Sequence, residues 1–421
     1  MRNLYITIFH QKTISIISVI FISIIYLNCS NPVTNNDDKS PGFLYTDGQM
    51  IVEGDGSEII LKGMGFGGWM VQEPYMMLVG QSATAGQHSI FADVEELIGE
   101  EKLEIYHQAW LDNYCQESDV ANLAAMGFNS IRLPLHYNLF TLPIQEEPVQ
   151  GENTWFDRGF EMVDEMLNWC EDNQVYLILD LHAAPGGQGY DANISDYDKT
   201  LPSLWESPQN KQKTIALWRK LAERYSDEHW IGGYDLINEP NWHLGKNNIE
   251  LKQLYDQLVK AIREVDQNHI IFIEGNWFAN DHTGLWPFDD DNIVLSFHRY
   301  WCDNTTETMQ TYLDMRAKYN VPLWMGESGE NSNQWYREAV KLLEDHNIGW
   351  AWWTWKKMES GSGAYSINAP DGYDQLQDYW EEGGEKPDTS FAFDTMMQVA
   401  KNARIERCSL NGEVIQALMQ K

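Results

Sequence analysis

Apolar and polar positions follow two rhythms along most of this chain. Short runs rich in Val, Ile, Leu and aromatic residues are separated by longer stretches whose apolar residues recur every three to four positions. The short runs read as strands and the longer ones as amphipathic helices. A first strand and its loop are expected over 61–69, and further strands at 129–133, 175–181, 231–237, 270–273, 293–297, 321–325 and 349–353. Helical patterns lie between them at 160–170, 213–225, 248–266, 309–319 and 334–345, with a closing helix over 391–403. Such alternation implies a parallel sheet with right-handed crossovers. Eight strands in roughly 300 residues match an α/β fold of the (β/α)8 TIM-barrel type. An open doubly wound sheet is the runner-up, but no Gly-rich dinucleotide loop follows the first strand.

Two stretches depart from this rhythm. Before the first strand, Asp47-Gly48 and Asp55-Gly56 separate short apolar runs and signal a small hairpin that would close the bottom of the barrel. Residues 365–388 are polar and turn-rich, and are expected as a long loop near the mouth. There is no internal repeat and no second core, so 42–421 is expected as one catalytic domain.

Polar residues gather where the apolar runs stop. Asn238 and Glu239 follow an apolar run, and Pro240 stops the pairing because it has no N–H to donate. Arg132 and His182 end the second and third strands, His298 and Tyr300 the sixth, Glu327 the seventh and Trp353 the eighth. In a TIM barrel these ends converge on the rim where active sites are built. The run WWTW (352–355) leaves Trp355 as an alternative to Trp353, one pleat repeat away. Trp69, Glu73 and Tyr75, in the loop after the first strand, are expected to face the mouth.

Composition narrows the ligand. The chain has 18 Trp, whose flat rings can stack on the apolar face of a pyranose, although most will fill the core. Its net charge of −34 repels phosphate backbones and anionic lipid, so nucleic acid is excluded as a partner. A neutral or cationic ligand is easier to accept.

The N-terminus reads as an export signal. Arg2 and Lys12 flank or precede an apolar run at 14–25 that is short for a bilayer span. The sequence LNCS (27–30) follows and resembles a bacterial lipoprotein signal, in which Cys29 would be acylated; Asn28 departs from the small residue usual there. Residues 1–28 are thus expected as signal and the polar stretch 29–41 as a flexible tether. Plain secretion with another cut site and an uncleaved anchor are the alternatives. The expected location is the bacterial cell envelope, through a lipid anchor, or the exterior. Cys115, Cys170, Cys302 and Cys408 show no zinc spacing and can be thiols or form up to two disulfides.

The motifs IRLP (131–134), DLH (180–182), INEP (237–240), HRY (298–300), GES (326–328) and WWTW (352–355) together resemble glycoside hydrolase family 5, the cellulase-type retaining glycosidases. The resemblance covers roughly 42–403. It implies a retaining β-glycosidase with Glu239 as acid/base and Glu327 as nucleophile, acting as a monomer on β-glucan or oligosaccharide without metal or organic cofactor. It also implies that Arg132 and Tyr300 hold Glu327, Asn238 bonds the sugar 2-hydroxyl, His182 and His298 orient hydroxyls and carboxylates, and Trp353 floors the subsite. The loops GFGGWMVQEP (65–74) and DLHAAPGGQGYDAN (180–193) resemble those of the exo-β-1,3-glucanase branch, in which Glu73 would contact the terminal sugar. Trp242, Trp277, Trp286 and Trp301 follow strand ends and are candidate stacking platforms. Two other functions share these features: a non-catalytic glycan-binding surface lipoprotein on a glycosidase scaffold, which would lack a catalytic group, and a β-mannan-directed enzyme of the same family.

Overall fold

The computed structural model describes residues 42–79 and 86–420; the expected signal, the tether and Cys29 lie outside them. Eight parallel strands close on themselves: β1 (Lys62–Gly65), β2 (Ser130–His136), β3 (Tyr176–Ala183), β4 (Ile231–Asp235), β5 (Ile271–Glu274), β6 (Ile293–His298), β7 (Leu323–Glu327) and β8 (Gly349–Trp352). β8 pairs back onto β1, so the sheet has no open edge. This is the expected TIM barrel, with strand bounds displaced by a few residues.

Among the described residues, the first crossover carries a single helical turn, Pro74–Met77, and three longer helices: α1 (Gln87–Ile98), α2 (Glu100–Tyr114) and α3 (Glu117–Met126). The expected helices are α4 (Asp157–Asn173), α5 (Pro208–Tyr225), α6 (Ile249–Arg263), α7 (Thr306–Tyr319) and α8 (Asn333–Asp345). Their ends follow local chemistry. Ser207 caps α5 by accepting from the Asn210 N–H at 3.2 Å, and Pro208 sits where its missing N–H costs nothing. The stretch expected as a loop instead carries a short strand, Tyr365–Ile367, and the helix α9 (Tyr373–Glu382). Its polar composition hid two inward residues, Tyr373 and Leu376, which are fully buried. After α10 (Thr389–Asn402), the helix expected to close the fold, comes α11 (Gly412–Met419), which packs on α8.

The strands divide their side chains with period two. Leu177, Leu179 and Leu181 of β3 face the helices, whereas Tyr176 and Ile178 join the barrel interior. Phe272, Val294, Trp324 and Ala351 complete that interior from other strands, and Leu44 and Ile51 of the N-terminal hairpin (Tyr45–Asp47 with Met50–Val52) cover it from below. The hairpin therefore does close the bottom. Each such large apolar side chain contributes roughly 1.5–3 kcal/mol by leaving water. Higher along the same strands the inward positions turn polar: Arg132, Asp180, Asp235, Glu274 and His298, all buried.

β2 is longer than its pattern suggested, and Pro134 lies inside it, opposite Asp180 of β3. β1 pairs with β2 only as far as Arg132, whose carbonyl accepts from the Phe66 N–H. By the strand's period, position 134 faces that same side, where no ladder continues for it to break. Arg132 is consequently mid-strand and sits beneath the rim rather than on it.

Candidate active site

Arg132 is the hub of the polar layer. Its Nε donates to Asp235 at 2.9 Å, Nη1 to Glu327 at 2.9 Å, and Nη2 to Asn238 at 2.8 Å and Glu274 at 3.0 Å. Asp180 lies 3.2 Å from Nη2. Burying a guanidinium is costly unless each donor finds an acceptor, and here every terminal nitrogen does. Burial and the neighbouring Glu274 charge push the Asp235 carboxyl well above the usual range. Burial acts the same way on Glu274, but His298 and Arg132 outweigh it and hold that group at about 2.

Glu327 reaches the same space through an irregularity in β7. Met325 pairs with Phe297 and Glu327 with His298, so Gly326 is an extra residue that reverses the alternation and turns Glu327 inward. A side chain at 326 would collide with Ser296 Oγ at 2.7 Å and His298 Nε2 at 3.1 Å, which is why glycine occupies it. Tyr300 donates to Glu327 Oε1 at 2.7 Å while Arg132 holds Oε2. Burial pushes Glu327 up to about 7; His298 and Arg132 oppose this, and the charge of Glu239 adds to it.

Glu239 faces it from beyond β4. Its backbone has φ +44°, and its N–H donates to Glu274 Oε2 at 2.6 Å. The Glu239 carboxylate lies 2.6 Å from His298 Nδ1, and His298 Nε2 is 3.2 Å from Glu274 Oε1, an ion-pair contact poorly angled for a hydrogen bond. Among the described residues, Glu239, His298 and Glu327 are the group compact enough to hold a metal ion, with one ligand atom from each within 4.8 Å of the others. Each of the three already has a protein partner.

A second set lines the adjoining wall. His182 Nδ1 is 2.7 Å from Asp180 and Nε2 is 3.1 Å from Glu73. Burial would lower the imidazole, but those two carboxylates raise it to about 10. The ring stacks on Trp353, 5.3 Å between centroids and 5° from parallel, and Trp353 Nε1 donates to Tyr75 Oη at 2.8 Å. Trp355 is instead in the core, stacked on Phe66 and bonded to Asp119, which settles the register of the WWTW run. Gly65 makes room for Trp353: a Cβ there would come within 2.9 Å of the indole, and one at Gly67 closer still.

These groups open into a cavity of about 920 Å³. A family model for cellulase (glycosyl hydrolase family 5) matches residues 92–359. The chain belongs to glycosyl hydrolase family 5. A β-xylosidase of Phanerodontia chrysosporium is 34% identical over 278 residues, 66% of this chain and 56% of the relative, so the chain spans little more than half of that protein. Endoglucanase C of Acetivibrio thermocellus is 25% identical over 318 residues, 61% of this chain and 88% of the relative. The solved structure of Thermotoga maritima Cel5A in complex with a mannotriose substrate has a TM-score of 0.52 at 17% identity, covering 85% of this chain and 97% of that one, and shows the shared barrel.

In this family 5 chain the cavity wall departs in places from the sequence reading. Glu73, His182, His298, Tyr300, Glu239 and Glu327 line it as expected. Trp242 does not: Tyr190 covers one face at 3.7 Å between centroids and Tyr197 meets it edge-on. Trp69 is buried with its Nε1 donating to the Leu111 carbonyl, and Trp286 stacks on Tyr319, so neither reaches the mouth. Trp277 is 38% exposed, outside the cavity lining, whereas Trp301 lines it and is 73% exposed, its Nε1 donating to the Glu330 carbonyl at 3.1 Å. Asp191, Phe278 and Glu330 are among the further lining residues, and no sequence signal singles them out. Asp180, Asp235 and Glu274, the carboxylates beneath the site, had a usable signal: each is an acid at an inward position near a strand end. Cys115, Cys170, Cys302 and Cys408 are free thiols.

Proposed function

We propose that this chain is a retaining β-glycosidase acting on β-linked glucan or oligosaccharide. The observation that carries the reading is the approach of Glu239 and Glu327, with an oxygen of each within 4.8 Å across the cavity floor. Retaining enzymes hold their two carboxyls about 5–5.5 Å apart, whereas inverting ones leave about 6.5–9.5 Å for a water. Names among the relatives, an endoglucanase and a β-xylosidase, support a β-linked glycan. Within that class a β-1,3-glucan is favoured by the loops at 65–74 and 180–193.

Arg132 and Tyr300 both donate to Glu327, which supports its role as nucleophile and leaves the acid role to Glu239. In the first displacement Glu327 attacks the anomeric carbon, the bond to the leaving oxygen breaks, and Glu239 gives that oxygen its proton. In the second, Glu239 takes a proton from water, the water oxygen bonds to the anomeric carbon, and the ester to Glu327 breaks. The Asn238 amide oxygen accepts from Arg132 at 2.8 Å and its NH₂ meets His182 Nε2 at 3.4 Å; its second N–H is the donor proposed for the sugar 2-hydroxyl. Trp353 and the Glu73–His182 pair shape the subsite of the sugar being cleaved.

Glu327→Gln and Glu239→Gln should each abolish hydrolysis, and NMR of the first product should show retained anomeric configuration. Full activity in either variant, or an inverted product, would overturn the reading. Export with acylation of Cys29 is the companion proposal, supported by the LNCS motif. Labelled palmitate should enter the full-length protein and not its Cys29→Ser variant; equal labelling of both would refute it.

A further inference from the structure

We propose that Glu274 is the positioning residue that holds the two reacting carboxyls in register; this rests on the roles just given to Glu239 and Glu327. Three groups converge on this one carboxylate. Oε1 takes Arg132 Nη2 at 3.0 Å and faces His298 Nε2 at 3.2 Å, while Oε2 takes the backbone N–H of Glu239 at 2.6 Å. Through Arg132 it reaches Glu327, which the same guanidinium holds at 2.9 Å. Through His298 it reaches the Glu239 carboxylate, 2.6 Å from the other ring nitrogen. The backbone bond also pins Glu239 itself, at a φ of +44° that a non-glycine residue adopts only when its surroundings enforce it.

Glu274 is fully buried and does not line the cavity, so it acts on substrate only through these neighbours. It is itself fixed from behind, where Tyr255 Oη donates to its backbone carbonyl at 3.0 Å. The arrangement demands an anion. A carboxylate offers one oxygen to Arg132 and to the charge of His298 and the other to the Glu239 N–H, whereas an amide offers one acceptor and would set its NH₂ against either His298 and Arg132 or the Glu239 N–H. Aspartate keeps the charge, but one methylene less leaves it unable to meet both sides at these distances.

The test compares Glu274→Gln and Glu274→Asp with wild type and with the Glu239→Gln and Glu327→Gln variants, measuring kcat and KM on a soluble β-glucan oligosaccharide and the thermal midpoint of each. The expected result for Glu274→Gln is a fall in kcat on the order of 100-fold, as for a displacement of about 1 Å, with KM within about threefold. Glu274→Asp should recover part of that kcat. A Glu274→Gln variant with kcat within threefold of wild type overturns the proposal, as does a loss confined to KM. If Glu274→Gln fails to melt cooperatively while Glu274→Asp is folded and fully active, the role is structural and the proposal falls. Activity remaining in Glu239→Gln or Glu327→Gln would instead refute the catalytic assignment on which it stands.

Discussion

Arg132 and Glu327 meet across the barrel from β2 and β7, Nη1 to Oε2 at 2.9 Å. The same guanidinium holds Asp235, Glu274 and Asn238, so its loss would strand several buried acceptors at once. Arg132→Lys keeps the charge but offers a point ammonium in place of a planar fork. Removing one partner from a buried ion pair costs about 3–5 kcal/mol. Urea unfolding at neutral pH should show a loss of that order; a change below about 1 kcal/mol would show that the network contributes little.

Tyr300 donates to the Glu327 carboxylate. A hydrogen bond to a charged group contributes about 1.5–3 kcal/mol, so Tyr300→Phe should lower kcat/KM by about tenfold to 100-fold. The sign of the pH effect follows from which form is bonded. Tyr300 donates to the anion, so its removal disfavours ionisation and moves the Glu327 titration, now at about 7, upward. The acid limb of the kcat/KM profile should therefore shift to higher pH, and a shift the other way would count against Glu327 as the anionic member.

Much of this was legible from the chain, and the misses have physical causes. The rim residues could be found because each closes an apolar run whose period marks it as a strand. Glu274 escaped because the run 270–273 was read as ending one residue early, which left the acid in the following turn. Trp353 and Trp355 could not be separated by pattern, since they lie one pleat repeat apart and carry the same side chain. Trp242 was misplaced because nothing local announces that Tyr190 will stack on it. Helix α9 was hidden by acidic and amide residues on the face it turns to water.

Gly67 tests the packing of Trp353. A methyl there would strike the Trp353 indole, whose position also fixes the His182 face. Gly67→Ala should displace Trp353, costing about 1–3 kcal/mol as overpacking does, and should depress activity as well. Unchanged thermal midpoint and kinetics would show that the loop after β1 yields instead.

Trp301 tests the mouth. It is exposed, so Trp301→Ala should leave stability within about 0.5 kcal/mol. Because the ring lines the cavity, KM for oligosaccharides should rise while kcat for a short aryl glycoside holds. Equal KM on both proteins would remove Trp301 from the binding surface.

The central claim is that Glu327 forms a covalent glycosyl ester, and trapping reads it directly. Incubation with an activated 2-fluoro β-glycoside, followed by digestion and peptide mass mapping, should place one sugar on Glu327. A label on Glu239, or a family of unlabelled peptides from enzyme that still turns over the substrate with inversion, would contradict the account.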